Sequence, residues 1–155
     1  MTISQTESCT LRPITVEDAS ALTQMSLTNE KYRSILGVEY GENRKLANAY
    51  ASNRGMYPLA NVIVNSDSIV GVLILADAGK KALDVHLMMN DDAPDKAYEE
   101  VLTETVKECR KNGFKKIYVA PPKGGKDVFG GKKKYAEAFL AFVGTEEFPE
   151  YELKL

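Results

Sequence analysis

His86 is the only histidine in the chain, and Asp84 stands two residues before it. On a strand, side chains two apart share a face, so Asp84-x-His86 would set a carboxylate beside an imidazole. An imidazole with an ordinary pKa near about 6.5 exchanges protons at neutral pH, and a neighbouring carboxylate can orient it as a general base. A packed structural histidine would use the same neighbour equally well. Leu87, Met88 and Met89 follow directly. Methionine adapts to flexible apolar ligands, so this run could line a channel, or it could fill a core. Lys123, Lys126 and Lys132 belong to KGGKDVFGGKKK, whose lysines could hold a phosphate or simply solvate a loop. That loop lacks the Gly-x-x-x-x-Gly-Lys-Ser/Thr spacing of a nucleotide-binding P-loop.

The elements that must place these residues can be read on either side of them. ALDVHLMMN reads as a strand, DDAPD as an acidic turn, KAYEEVLTETVKECRKNG as a helix and FKKIYVAPP as a second strand. In the helix, Tyr98, Val101, Leu102, Thr105, Val106 and Cys109 form one stripe at spacings of three and four, the pattern by which a helix covers a sheet. Asp91, Asp92 and Asp95 lie at its start, Lys107, Arg110 and Lys111 near its end; both suit the helix dipole. Gly113 is a natural left-handed stop, and Pro121-Pro122 ends the next strand for want of a ladder donor. Upstream, Leu11-Arg12-Pro13 closes a first strand, and Thr15 with Asp18 opens a helix through a capping-box variant. Asn29 to Gly55 reads as two short helical pieces. Leu59 to Asn65 and Ile69 to Ala76 form the best hairpin, turning at Ser66-Asp67-Ser68. A helix around Tyr135 to Phe142 and a strand from Tyr151 to Leu155 complete the chain.

At 155 residues the chain fits one domain, residues 1–155, and a chain of that size buries about 68 to 70 % of its unfolded surface without staples. Cys9 and Cys109 are far apart and lack Cys-x-x-Cys or Cys/His spacing. Neither a metal site nor a disulfide framework is expected, and a reducing cytoplasm is the expected compartment. MTISQTESCT has no leader pattern, and the longest apolar run, Ile69 to Ala76, is too short for a membrane span. The net charge of −2 hides an asymmetry: Lys107 to Lys134 carries ten Lys/Arg against Glu108 and Asp127, and the remainder ten against twenty Asp/Glu. Such a basic stretch could attract phosphates, or it could be a solvated face. Nucleic acid is a poor fit, because only Phe114, Tyr118 and Phe129 could stack on bases there outside the final helix.

The order of elements resembles the GNAT superfamily of N-acyltransferases along almost the full length. TLRPITVEDASAL resembles that family's first strand and helix, NSDSIVGVLIL its hairpin with a Val-Gly pair, and AEAFLAFVGTEEFPEYELKL its closing helix, turn and strand. The resemblance implies an α/β fold with a mixed, mostly antiparallel sheet, helices on both faces, and strands four and five splayed. It implies N-acyl transfer, N-acetyltransferase chemistry included, from acetyl-CoA or another acyl thioester to a small-molecule or protein amine. His86 would be the base, oriented by Asp84, and Leu87 to Met89 would flank the pantetheine arm.

Two departures accompany it. The loop after strand four, usually Gln/Arg-x-x-Gly-x-Gly/Ala, is Asn90-Asp91-Asp92-Ala93-Pro94-Asp95; it lacks glycine, and Pro94 removes an amide donor. A carboxylate about 6 Å from a phosphate charge costs roughly 2 to 3 kcal/mol at an effective dielectric near 20, so weak coenzyme A binding is expected. The family's usual tyrosine acid, four residues before the closing glycine, is Leu140 here. The alternative is a GNAT-like domain that does not catalyse and binds a protein or small-molecule partner. Oligomeric state cannot be read from the sequence.

Overall fold

The computed structural model describes residues 9–91, 93, 95–119, 141–142 and 151–155. Its strands are β1 (Thr10–Pro13), β2 (Leu59–Asn65), β3 (Ser68–Gly79), β4 (Ala82–Met89), β5 (Lys116–Val119), β6 (Ala141–Phe142) and β7 (Tyr151–Lys154); its longer helices are α1 (Ala19–Thr28), α2 (Tyr40–Ser52) and α3 (Asp95–Lys111). All seven strands join one sheet in the order β1-β2-β3-β4-β5-β7-β6. Every pairing is antiparallel except β4 with β5.

β-branched residues fill β2 and β3, and the sheet separates two cores. Ile63, Leu73, Leu75, Leu83, Val85, Leu87, Met89 and Ile117 face α3, which contributes Ala97, Val101 and Cys109. Val62, Val72, Ile74 and Met88 face the other way, toward Leu22 and Met25 of α1 and Ala47 and Tyr50 of α2. Of the stripe expected on α3, Val101, Thr105 and Cys109 are buried and Val106 partly so, while the side chains of Tyr98 and Leu102 lie outside the described ones. Gly113, at φ 81°, ends the helix in the left-handed region.

Local chemistry explains the upstream elements. Thr15 N–H donates to Asp18 Oδ2 at 2.8 Å, and Arg12 grips the same carboxylate at 3.1 and 2.8 Å. One 3-10 turn, Val16–Asp18, precedes α1. The two helical pieces after Asn29 are a 3-10 segment, Glu30–Ser34, and α2, which at 13 residues is longer than the sequence suggests. Buried Asn43 ties α2 to the connection before it and to α1: it accepts from Gly37 N–H at 2.7 Å and donates to Gly37 C=O and Thr23 Oγ1, both at 2.9 Å.

Two expectations need correction. β3 does not stop at Ala76 but runs to Gly79, and a second tight turn puts Lys80 and Lys81 at φ 55° and 66°. Lysine is uncommon there, so the turn carries little sequence signal. Ser66 and Asp67, at φ 48° and 68°, make the equivalent turn of the first hairpin, whose hand matches strand twist. At the other end, the helix expected around Tyr135 to Phe142 cannot include its last two residues, because Ala141 and Phe142 are extended and pair with Glu152 and Tyr151. Tyr135 to Leu140 lie outside the described residues.

Candidate active site

β4 sits at the centre of the sheet, and its alternation decides what each candidate residue can do. The described ladder to β5 runs from Ala82↔Lys116 to Val85↔Val119. Beyond Val85, the β4 residues His86 to Met89 pair with β3 alone among the described residues, and the chain that follows Val119 of β5 lies outside them. Asp84, His86 and Met88 project to the α1/α2 face; Leu83, Val85, Leu87 and Met89 project to the α3 face.

His86 is half-buried, opposite Ile74 on β3. Burial pushes its imidazole below the ordinary 6.5, and the Asp84 carboxylate pulls the other way without cancelling the effect. The ring is therefore neutral at neutral pH and can accept a proton. Among the described residues no hydrogen bond joins Asp84 to the ring, so Asp84 acts on it through space. Asp84 pairs in register with Tyr118 of β5, which sets a phenol in the same cross-strand row.

Leu87 and Met89 are sealed in the α3-side core, at 8 % and 0 % exposure, while Met88, at 6 %, belongs to the opposite core. Met88 and Met89 cannot line one channel together; only Met88 shares a face with His86, and Ser34 Oγ lies 3.5 Å from its sulfur. What Leu87 to Met89 can offer a thioester arm is backbone. Lys123, Lys126, Lys132 and Leu140 lie outside the described residues.

The end of β4 is held by a segment that the sequence did not single out. The 3-10 turn Glu30–Ser34 lies against it: Tyr32 Oη donates to Asn90 Oδ1 at 2.6 Å, Asn29 Nδ2 to Asp91 Oδ2 at 3.0 Å, and Lys31 Nζ to Asp91 Oδ1 at 2.9 Å. Asp91 is therefore not a bare charge facing a phosphate. Lys31 stands beside it, and its side chain is only 16 % exposed. Two amides of the loop are already engaged, Asn90 N–H with Val70 C=O at 2.8 Å and Ala93 N–H with Asn90 C=O at 2.9 Å. The Val-Gly pair also finds its reason here, because a Cβ on Gly71 would meet the Met88 carbonyl at 2.6 Å. Only glycine lets β3 approach the end of β4 this closely. Sixty residues separate Lys31 from Asp91, and no local pattern announces their meeting.

Among the described residues no group of three or more His, Cys, Asp or Glu gathers as a metal site, and no helix is long and apolar enough to cross a membrane.

No protein-family model and no curated protein sequence matches the chain. Solved structures do. An acetyltransferase from Salmonella typhimurium that modifies the N-terminal serine of a 50S ribosomal subunit protein is similar at TM-score 0.75 and 14 % identity, over 96 % of this chain and 95 % of that one. A PaiA N-acetyltransferase from Thermoplasma acidophilum, solved with coenzyme A, is similar at TM-score 0.68 and 15 % identity, over 96 % and 99 % of the two chains. A GNAT-family acetyltransferase from Staphylococcus aureus Mu50 is similar at TM-score 0.67 and 13 % identity, over 96 % and 99 %. Near-complete coverage in both directions, with the β4–β5 parallel pair at the centre, shows that this chain has the fold of the GNAT superfamily.

Proposed function

We propose that the protein is an N-acyltransferase that moves an acyl group from a thioester, on coenzyme A or a carrier, to an amine, with His86 as the base. The observation that carries this reading is a neutral, partly exposed imidazole on the α1/α2 face of β4, one residue beyond the last described rung to β5. The amine nitrogen would attack the thioester carbonyl, and the C–N bond would form as the C–S bond breaks. His86 would take the proton that nitrogen sheds, and the departing thiolate would take one from solvent. Asp84 favours the protonated ring during attack by its charge. Lys31 is the described cation best placed to answer a pyrophosphate at the start of α3, in place of the glycine loop's amides. The acceptor is a small-molecule or protein amine reaching His86 from the α1/α2 side, and the two free thiols suit a reducing cytoplasm.

Replacing His86 by Ala should lower acyl transfer about 10²- to 10⁴-fold with the circular dichroism spectrum unchanged; an unchanged rate would remove His86 from the chemistry. The second reading, a GNAT-fold domain that only binds a partner, draws on the loop after β4. Two of its amides are spent internally and Pro94 has none, so little backbone remains to cradle a pyrophosphate.

A further inference from the structure

On the sheet face away from His86, a groove of about 820 Å³ runs between α3 and the outer strands β1 and β2. Its floor includes Leu11, Pro13, Leu59 and Asn61, and its wall includes Glu104 and Glu108. A smaller cavity of about 200 Å³ continues it past Leu59 and Glu108 toward Phe114.

We propose that this groove docks an extended peptide segment of a partner protein, one in which a lysine or arginine stands next to an apolar side chain. Asn61 is the first reason. It lines the groove at 7 % exposure, and among the described residues its carboxamide has no hydrogen-bond partner. Its nitrogen and oxygen open onto the groove, where water satisfies them in the free protein and a seated peptide would take the water's place. The carboxamide holds one acceptor and two donors, which is the complement of a peptide group. Asn43 shows the pairing in this same chain, binding both the N–H and the C=O of Gly37 at 2.7 and 2.9 Å. Pro13, directly across the ladder from Asn61, has no N–H to offer.

Charge selects the side chains. Glu104 and Glu108 are one helical turn apart, a like-charged pair at the spacing where repulsion is felt, and neither has an ion-pair partner among the described residues. A cation between them would relieve both. The apolar floor beside them suits an aliphatic side chain, and about 820 Å³ lies within the usual range of ligand clefts, about 300 to 1,000 Å³. Residues 1–8, which precede β1, contain no lysine or arginine and do not match this wall.

The test is a ¹⁵N NMR titration of the full chain with a capped hexapeptide alternating leucine and lysine, with a leucine–glutamate hexapeptide as control. The expected result is that amides of Leu11, Asn61, Val101 and Glu104 shift with the lysine peptide and not with the control. Asn61→Leu should weaken binding about tenfold by removing the paired hydrogen bonds. Glu104→Gln with Glu108→Gln, surface changes that leave the core alone, should do the same and guards against a folding defect in the first variant. Equal binding of the glutamate peptide, shifts confined to other parts of the chain, or full affinity in both variants would overturn the proposal. So would nuclear Overhauser contacts from residues 1–8 to the Asn61 carboxamide in the free protein, or the same shifts produced by self-association, since the occupant would then be this chain itself.

Discussion

Replacing Asp91 by Asn should tighten acetyl coenzyme A, and replacing Lys31 by Met should loosen it by a similar factor. Lys31 Nζ lies 2.9 Å from Asp91 Oδ1, so toward a third charge several ångströms away the two largely cancel. A single phosphate charge about 6 Å from either one would feel about 2.8 kcal/mol at an effective dielectric near 20. Screening with a Debye length of about 8 Å roughly halves that, leaving about 1.4 kcal/mol, or about tenfold in affinity. Removing the carboxylate alone should therefore gain about tenfold, removing the ammonium alone should lose about tenfold, and the double replacement should return close to the starting affinity. The ion pair itself is exposed on its acidic side, 80 % for Asp91, and such pairs contribute only about 0 to 1 kcal/mol to stability, so all three variants should fold. Calorimetric titration at low and high salt reads the affinities, and both single effects should shrink as salt rises. If Asp91→Asn leaves low-salt affinity unchanged, or Lys31→Met tightens binding, the phosphates do not sit at the end of β4 and the reasoning fails.

A second expectation concerns pH. Because burial holds His86 below 6.5, kcat/KM should rise through an inflection below that value and level off above it, and His86→Gln should abolish that limb. The sign for stability is the same: the unfolded ring takes up a proton at a higher pH than the folded one, so this contribution is full above about pH 6.5 and is lost as pH falls through the depressed value. Asn43→Ala should cost about 2 to 4 kcal/mol, since it leaves both Gly37 backbone groups and the Thr23 hydroxyl without their partner; a shift in the urea midpoint worth less than 1 kcal/mol by that same scale would show that water replaces the side chain.

Much of the fold was legible because its cues are local. The stripe on α3, the stop at Gly113, the Thr15–Asp18 start and the Ser66–Asp67 turn each rest on residues within a few positions of one another, and the structure bears them out. Lys80 and Lys81 show the limit, since a turn built on residues that rarely adopt positive φ leaves no compositional trace. The candidate site was legible only along β4. Alternation put Asp84 and His86 on one face, but the same rule sends Met88 and Met89 to opposite cores, which a reading of the two methionines as one channel overlooked. Lys31 and Asn29 were invisible as site residues because they reach Asp91 from another element through the fold. Asn61 was missed for a related reason: an asparagine in a strand declares itself only when its neighbours leave the carboxamide without a partner.

Acyl transfer by the native chain is read by release of free thiol from acetyl coenzyme A against a panel of amines that includes peptides with free N-termini. Thiol release that requires an amine, matched by acylated product and reduced about 10²- to 10⁴-fold in His86→Ala, is the result expected. Absence of turnover with every amine, from coenzyme A and carrier thioesters alike, together with no calorimetric binding of acetyl coenzyme A, would contradict it and leave a GNAT fold that binds without catalysing.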